Sequence, residues 1–258
     1  MTEWVIWAIV FGLIVGSFAN VCIHRIPRGQ SIVAPRSRCP HCSAAIRPWD
    51  NIPLLSFVLL RGRCRACRGR ISWRYPLVEL ANGLLYGCMA AVEPPGPRAI
   101  VTMAFVSVLL VLSLIDLEHY MLPNVITLPG IVLGLGASFL PDARVTPIES
   151  LASAAGAFAL FALVGLAYEK LRGVEGLGQG DWKMVAMLGA FLGWRGTLLA
   201  ILLACLAGTL VGVAVALWRR AEVRRQRVPL GTFLGLAGIA VVFAGEDLLA
   251  WYGGFWHG

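Results

Sequence analysis

The chain has 258 residues, of which 58% are hydrophobic and only 14% are charged, and its mean hydropathy is +0.76. This composition excludes a soluble globular domain, because such domains carry more charge and lack repeated apolar runs of membrane-spanning length. The net charge of +8 requires no nucleic-acid partner, since an arginine-rich face beside anionic lipid headgroups accounts for it. We therefore predict an all-α polytopic membrane protein.

Apolar runs bounded by charged or Pro/Gly-rich stretches predict about eight transmembrane helices. In chain order these helices are predicted at residues 4–22, 77–93, 99–115, 125–140, 148–168, 182–194, 197–218 and 230–251. The one long polar stretch, residues 23–76, follows the first helix and is predicted to form a separate small domain.

The distribution of positive charge predicts the orientation of these helices. Cytoplasmic segments of membrane proteins are enriched in Lys and Arg. With the N-terminus outside, 19 of the 22 Lys and Arg residues fall in the cytoplasmic segments 23–76, 116–124, 169–183 and 219–228. We therefore expect both termini outside and the polar domain in the cytosol. Because basic residues follow the first span, we expect a retained anchor instead of a cleaved signal peptide.

The polar domain contains two Cys-x-x-Cys motifs, CPHC at 39–42 and CRAC at 64–67, separated by 21 residues. Each motif supplies two sulfur atoms from one tight turn, and four thiolates at this spacing suit tetrahedral zinc. We predict a structural zinc ion on Cys39, Cys42, Cys64 and Cys67. Two disulfides, or reduced cysteines without a ligand, are the alternatives, and a reducing cytosol disfavours the disulfides.

Two acidic residues are predicted at the cytoplasmic boundary of the membrane. Asp116 ends the third apolar run, and Asp181 begins the sixth, within GLGQGDWKM at 176–184. A carboxylate at a lipid boundary is costly unless it serves a cavity or a reaction, although an aspartate at a helix N-terminus is also favoured by the helix dipole. If the two converge, they share one proton, so that one acts as a base on water and the other as an acid toward a scissile carbonyl. This arrangement is typical of aspartyl peptide hydrolysis.

Two other classes of function remain open. A secondary transporter could relay protons through Asp116 and Asp181, but it predicts carboxylates near the middle of the membrane and internal repeats, and we find neither. A non-enzymatic assembly protein could use the cysteine loop to dock partners. That class leaves the glycines around Asp181 without a purpose, whereas a protease needs small residues where a substrate backbone approaches.

Five segments, in order along the chain, resemble the type IV prepilin peptidases, which are membrane aspartyl proteases of the GxGD class also described as leader peptidase and N-methyltransferase. The segments are GSFANVCIHRIPRG at 16–29, CPHC at 39–42 with NIPLLSFVLLRGRCRAC at 51–67, ISWRYPLVEL at 71–80, IDLEHYMLPNVITLP at 115–129 and GLGQGDWKMVAMLGAFLGW at 176–194. The resemblance implies a multi-pass enzyme of the bacterial inner membrane. Such an enzyme removes a short basic leader from prepilins or pseudopilins at the cytoplasmic face and methylates the new N-terminus with S-adenosylmethionine.

The resemblance also implies roles for individual residues. It makes Asp116 and Asp181 the catalytic pair. The implied substrate-binding residues are Gly178, Gly180 and Lys183; S-adenosylmethionine is implied at Gly62 and Arg63, and zinc on the four cysteines. The chain is thus predicted to comprise a first transmembrane helix at 1–22, a cytosolic zinc-binding domain at 23–76 and a seven-helix membrane protease domain at 77–258.

Three positions depart from the pattern of the family. The pair Gly62-Arg63 stands where Gly-Lys precedes the third cysteine, and Asn124 stands where aspartate is common. Near the C-terminus, the segment VPLGTFLGLAG at 228–238 differs from the usual Pro-Phe-Gly-Pro pattern.

Overall fold

The protein is all-helical in the computed structural model, which describes residues 1–174, 176–219 and 229–254. Eight α-helices follow in chain order: α1 (Thr2–Arg25), α2 (Leu55–Leu59), α3 (Arg74–Val92), α4 (Pro97–His119), α5 (Asn124–Ala137), α6 (Pro147–Arg172), α7 (Gln179–Arg219) and α8 (Leu230–Gly254). The predicted cytoplasmic segment at 219–228 lies, from residue 220 onward, outside the described residues.

Within the described residues, five helices are long and apolar enough to cross a membrane: α1 with its 3-10 extension to Arg28, α4, α6, α7 and α8. Helices close every backbone hydrogen bond within one segment, which is why apolar sequences of this length adopt them in lipid. Helix α5 is apolar but shorter, and α3 contains residues 77–92 of the span predicted at 77–93 but is not among these five helices. The protein is thus a multi-pass membrane protein by length and composition, and the count of eight spans stays a prediction.

Helix α7 runs through both predicted spans at 182–194 and 197–218. The two are joined at Gly193, whose backbone angles of φ 67° and ψ −178° are not helical. This combination of angles is essentially restricted to glycine. The sequence suggests two separate helices joined by a polar connection. The structure instead has one element, α7, whose two helical halves meet at Gly193.

The chain forms two compact units, Met1–Ser107 and Val108–Gly258. In the first unit, α1 packs antiparallel against α3. Gly16 permits this close approach, because a Cβ atom there would lie 2.7 Å from Cα of Glu79. The buried amide of Asn82 also donates to the carbonyl oxygen of Gly12 at 2.8 Å. Residues 26–73 therefore connect the C-terminal end of α1 to the N-terminal end of α3, at one end of this antiparallel pair.

In the second unit, α5, α6 and α8 all pack against α7. The residues of α7 from Met184 to Leu188 are almost completely buried, whereas the half after Gly193 exposes large apolar side chains such as Leu202 and Leu210. The first half of α7 is therefore the core of this unit, and Asp181 lies at the start of that half.

Candidate functional site

Asp116 lies in the last turn of α4 and is only 5% exposed. Its Oδ2 atom accepts a hydrogen bond from the backbone N–H of Thr232 at 2.7 Å. The hydroxyl of Thr232 lies 3.3 Å from the same oxygen and 3.0 Å from the carbonyl oxygen of Ser113. A buried carboxylate needs donors of this kind, because its desolvation is otherwise uncompensated.

Asp181 is the third residue of α7 and is partly buried. Its position in the first helical turn is favoured, because the N-terminal end of a helix attracts negative charge. Asp116 and Asp181 lie in the same compact unit, and Leu122 packs both on Gly180, which precedes Asp181, and on Gly231, which touches Asp116. Two buried carboxylates that lie close together do not both ionise easily, so such a pair can hold one proton in common.

Leu122, in the short connection between α4 and α5, contacts the beginnings of two other helices. A Cβ atom at Gly180 would lie 2.9 Å from Cβ of Leu122, and one at Gly231 would lie 2.9 Å from its Cδ1. The Cβ at Gly231 would also lie 3.0 Å from Cγ of Asp116. Glycine at these two positions therefore lets the starts of α7 and α8 approach the end of α4.

The other residues predicted to bind substrate lie beside this junction. Gly178 is exposed, and a Cβ atom there would be 3.4 Å from Oδ2 of Asp181. Lys183 donates to the side-chain oxygen of Asn124 at 2.8 Å and thereby links α7 to the start of α5. Gly178 immediately precedes α7, and Gly180 and Lys183 lie within its first turns, so all three are close in sequence to Asp181.

The sequence analysis missed Thr232 and Gly231 as neighbours of Asp116. The only signal in the sequence was the departure of PLGT at 229–232 from the Pro-Phe-Gly-Pro pattern. That departure concerns a segment more than one hundred residues away from Asp116 along the chain, and only the packing of α8 brings the two together.

The four cysteines of the two motifs lie together in the first unit. The sulfur atoms of Cys39, Cys42, Cys64 and Cys67 all lie within 4.8 Å of one another. All seven cysteines of the chain are free thiols, and the Sγ atoms of Cys39 and Cys67 are 3.9 Å apart, well beyond a disulfide bond. The cluster could therefore hold a metal ion such as zinc.

The two Cys-x-x-Cys turns have the same local geometry. The residue four positions after the first cysteine of each turn, Ser43 or Arg68, donates its backbone N–H to the carbonyl oxygen of that cysteine at 2.9 Å and has a positive φ. In the second turn, the backbone N–H groups of Cys67 and Ala66 lower the pKa of the Cys64 thiol to about 6. Although the backbone N–H of Ala44 opposes the effect, desolvation and the neighbouring cysteines raise the pKa of the Cys42 thiol to about 11, so zinc must displace the proton of that thiol when it binds.

Gly62 and Arg63 line a cavity of about 630 Å³ in the first unit. Its wall combines apolar and aromatic side chains with three arginines: Leu54, Phe57, Val58, Ile71, Trp73, Pro76, Leu77, Leu80, Arg61, Arg63 and Arg70, together with Gly62. Gly62 adopts a φ of 65°, and a Cβ atom there would approach the ring of Phe57 to 3.1 Å. The wall thus combines three arginines with two aromatic residues, Phe57 and Trp73, whose ring centroids are 4.8 Å apart.

Two family models match the chain. The model described as the bacterial peptidase A24 N-terminal domain matches residues 10–92, and the model of the type IV leader peptidase family matches residues 103–213. The first match contains the cysteine cluster, and the second contains Asp116 and Asp181. No solved structure matches the chain.

Curated relatives resemble the chain over most of its length. A protein of Burkholderia pseudomallei (strain K96243) is 37% identical and is matched over 96% of this chain and 88% of its own length. A protein of Aeromonas hydrophila is 35% identical, with 96% and 94% covered. A protein of Myxococcus xanthus is 43% identical over 82% of this chain and 63% of its own length. Each of these relatives is named prepilin leader peptidase/N-methyltransferase.

Proposed function

Because the chain belongs to the type IV leader peptidase family, we propose that it removes the leader peptide of type IV prepilins or pseudopilins and N-methylates the new N-terminal residue. The names and the extended similarity of the relatives support both activities. The observation that supports the peptidase activity most directly is the placement of two partly or fully buried carboxylates, Asp116 and Asp181, at the converging ends of α4 and α7.

In the proposed cleavage, Asp116 and Asp181 act together on one water molecule and one peptide bond. One carboxylate takes a proton from the water, and the other gives a proton to the carbonyl oxygen of the scissile bond. Attack by water needs no covalent enzyme intermediate. The exposed backbone at Gly178 supports a role in admitting the substrate chain, because this position carries no side chain that would block it. Gly180 supports the site by letting the start of α7 pack closely on Leu122.

Lys183 completes the proposed substrate site. Its ammonium group lies two residues beyond Asp181 and is held at 2.8 Å by Asn124, so its direction is set before substrate arrives. We expect it to contact the polar backbone or the carboxylates of the prepilin segment, and not its basic leader, which it repels.

We propose that the cavity lined by Gly62 and Arg63 receives S-adenosylmethionine, which supplies the methyl group when it is bound. Phe57 and Trp73 provide faces on which an adenine ring can stack, and the guanidinium groups of Arg61 and Arg63 suit its carboxylate. Arginine at position 63 keeps the positive charge of the lysine in the family pattern, although with a planar donor geometry.

The four-cysteine cluster is proposed to bind one zinc ion with a structural role. Four sulfur ligands leave no open position for a reacting molecule, which is typical of structural zinc. The surrounding segment of residues 26–73 contains few buried apolar side chains, so metal binding would supply much of its folding free energy.

We also propose the complete topology: eight spans in the bacterial inner membrane, both termini outside, and the zinc loop and the two aspartates on the cytoplasmic side. The positive-inside distribution supports this orientation. The predicted division into residues 1–22, 23–76 and 77–258 follows from the same topology. In this topology the spans are surrounded by membrane lipid, and the proposed partner is a prepilin or pseudopilin substrate. The positive charge of the chain requires no nucleic-acid partner.

The proposed function is tested with the purified full-length protein in detergent and a synthetic prepilin. Mass spectrometry of the products should find the leader peptide and a mature fragment, and with S-adenosylmethionine present the mature fragment should gain 14 mass units, the difference between a methyl group and a proton. An unchanged substrate after prolonged incubation with active-site residues intact would contradict the peptidase assignment.

A further inference from the structure

The environments of the two carboxylates differ. Oδ2 of Asp116 accepts the N–H of Thr232 at 2.7 Å, and the hydroxyl of the same threonine lies 3.3 Å away. Oδ2 of Asp181 instead lies beside Gly178, where a Cβ atom would be 3.4 Å from it. Asp116 and Thr232 are nearly inaccessible to bulk solvent, being 5% and 6% exposed. Bulk water therefore does not weaken the hydrogen bonds between them.

The start of α8 explains why Thr232 can bind a carboxylate. Thr232 is the third residue of α8, so its N–H belongs to the first turn, where backbone donors have no partner within the helix. Gly231 allows the approach, because a Cβ atom there would lie 3.0 Å from Oδ2 of Asp116. The hydroxyl of Thr232 has a single proton, which it can donate either to Oδ2 or to the carbonyl oxygen of Ser113 at 3.0 Å.

We propose that Thr232 is a positioning residue that holds Asp116 in its ionised form and so makes Asp116 the base and Asp181 the acid of the pair. The proposal rests on the proposed peptidase function. Donors to a carboxylate favour its charged form, and the environments of two neighbouring carboxyl groups decide which of them keeps the proton. Because Thr232 already donates to Oδ2, the proposal assigns the contact with the attacking water to Oδ1 of Asp116.

With Asp116 as the base and Asp181 as the acid, every proton in the cleavage reaction is accounted for. Oδ1 of Asp116 takes a proton from water as its oxygen bonds to the scissile carbon, and the proton of Asp181 passes to the carbonyl oxygen. The resulting diol breaks down when the C–N bond cleaves, the leaving nitrogen takes the proton now on Asp116, and one diol hydroxyl returns its proton to Asp181. Both carboxyl groups end as they began.

Other titratable groups near Asp116 do not provide this asymmetry. Helix α5 contains no charged residue, and the charged residues of α8 within the described part of the chain, Glu246 and Asp247, lie fourteen and fifteen residues beyond Thr232. The other charged groups that the structure describes at the ends of the neighbouring helices are Asp181 and Lys183 on α7, Glu118 and His119 on α4 itself, and Glu169, Lys170 and Arg172 at the end of α6. None of these is a hydrogen-bond donor to Asp116 among the bonds found for it, which come from Thr232. The hydrogen bonds of Thr232 are therefore the feature that distinguishes Asp116 from Asp181.

The proposal is tested by measuring kcat and KM for leader cleavage against pH in Thr232→Val and Thr232→Ser. Valine has the shape of threonine but lacks the hydroxyl, so kcat should fall roughly three- to tenfold, with KM little changed. The acid limb of the kcat profile should move to higher pH by about half a unit, because the base is then less stabilised as an anion. Serine restores the hydroxyl and should restore the wild-type profile.

Thr232→Pro is the stronger variant, because it removes both the N–H and the hydroxyl while proline is tolerated in a first helical turn. The acid limb of the kcat profile should then move further than in Thr232→Val. If the valine variant does not accumulate in membranes, the comparison of Thr232→Pro with the wild type provides the test. Thr102→Val, which removes a buried hydroxyl that donates to the carbonyl of Arg98 on α4, is the matched control and should keep the wild-type profile.

An acid limb that is unchanged in both Thr232→Val and Thr232→Pro would overturn the inference. If Asp116→Asn loses cleavage but the Thr232 variants keep the wild-type pH profile, only the positioning role of Thr232 is refuted. Full cleavage by Asp116→Asn refutes the proposed catalytic pair itself, so the two failures are distinguishable.

Discussion

Asp116 and Asp181 are the side chains on which the proposed chemistry depends. Asparagine has nearly the same shape as aspartate but does not exchange the required proton. We predict that Asp116→Asn and Asp181→Asn each reduce leader cleavage by roughly a hundredfold to ten-thousandfold, while zinc content and membrane accumulation stay close to wild type. The measurement is the cleavage rate of a prepilin at matched enzyme levels.

The exposed Asp142 supplies a matched control, since Asp142→Asn makes the same chemical change in the connection between α5 and α6. Its rate should equal that of the wild type. Because the two carboxylates act as one unit, the double mutant should cleave little more slowly than either single mutant. A single asparagine variant that keeps the wild-type rate would remove that aspartate from the proposed mechanism.

Gly193 divides α7 into two helical halves. Its φ of 67° with ψ of −178° is open to glycine alone, and a Cβ atom would lie 2.6 Å from Oε1 of Glu149. Gly193→Ala should therefore destabilise the fold by about 1–3 kcal/mol, seen as a lower midpoint of thermal unfolding in detergent. Gly156→Ala in α6, where no atom lies within 4 Å of the added Cβ, should leave the midpoint unchanged or raise it. Equal midpoints for the two variants would mean that the kink is not required.

The paired cysteine turns form the other element whose geometry can be tested directly. We predict about one equivalent of zinc per chain in the wild type and much less in Cys39→Ser, because serine removes one of four thiolate ligands. Loss of the metal should also make residues 26–73 sensitive to protease, since the metal supplies folding free energy there. Elemental analysis and limited proteolysis provide the readouts.

Cys88→Ser is the control for that experiment, because Cys88 is exposed on α3 and lies outside the cluster. It should retain the full zinc content and the protease resistance of the wild type. Zinc far below one equivalent in metal-replete wild-type protein would contradict the assignment of the cluster.

Across the complete chain, the two proposed activities depend on residues in different compact units: the cavity with Arg63 lies in Met1–Ser107 and the two aspartates in Val108–Gly258. Arg63→Ala should therefore lower the methylation of the new N-terminus, by roughly tenfold if one charged hydrogen bond to the methyl donor is lost, and leave leader removal intact. Mass spectrometry of the same product resolves both steps.

Arg36→Ala is the matched control, because Arg36 is an exposed arginine of the same loop that does not line the cavity. Both activities should persist in it. A parallel loss of cleavage and methylation in Arg63→Ala would instead indicate one shared site, and would contradict the proposed separation.

The sequence by itself determined the class of protein, because the length and apolarity of its runs decide how a chain partitions into lipid. It also predicted which four cysteines cluster, since Cys39 with Cys42 and Cys64 with Cys67 are paired by local turns whose spacing is visible in the chain. Asp116 and Asp181 were selected from the sequence by their places at the ends of apolar runs and by the glycines around Asp181.

Only the tertiary structure decided what surrounds those aspartates. The bond from Thr232 to Asp116 joins residues 116 positions apart, and no local pattern predicts how the first turn of α8 meets the last turn of α4. The packing of Leu122 against Gly180 and Gly231 likewise depends on helices that approach from distant parts of the chain. Periodicity and spacing report the few residues nearest in sequence, whereas a hydrogen bond to a buried carboxylate depends on long-range packing. Thus sequence reasoning found the two carboxylates, and the fold decided which donors hold them.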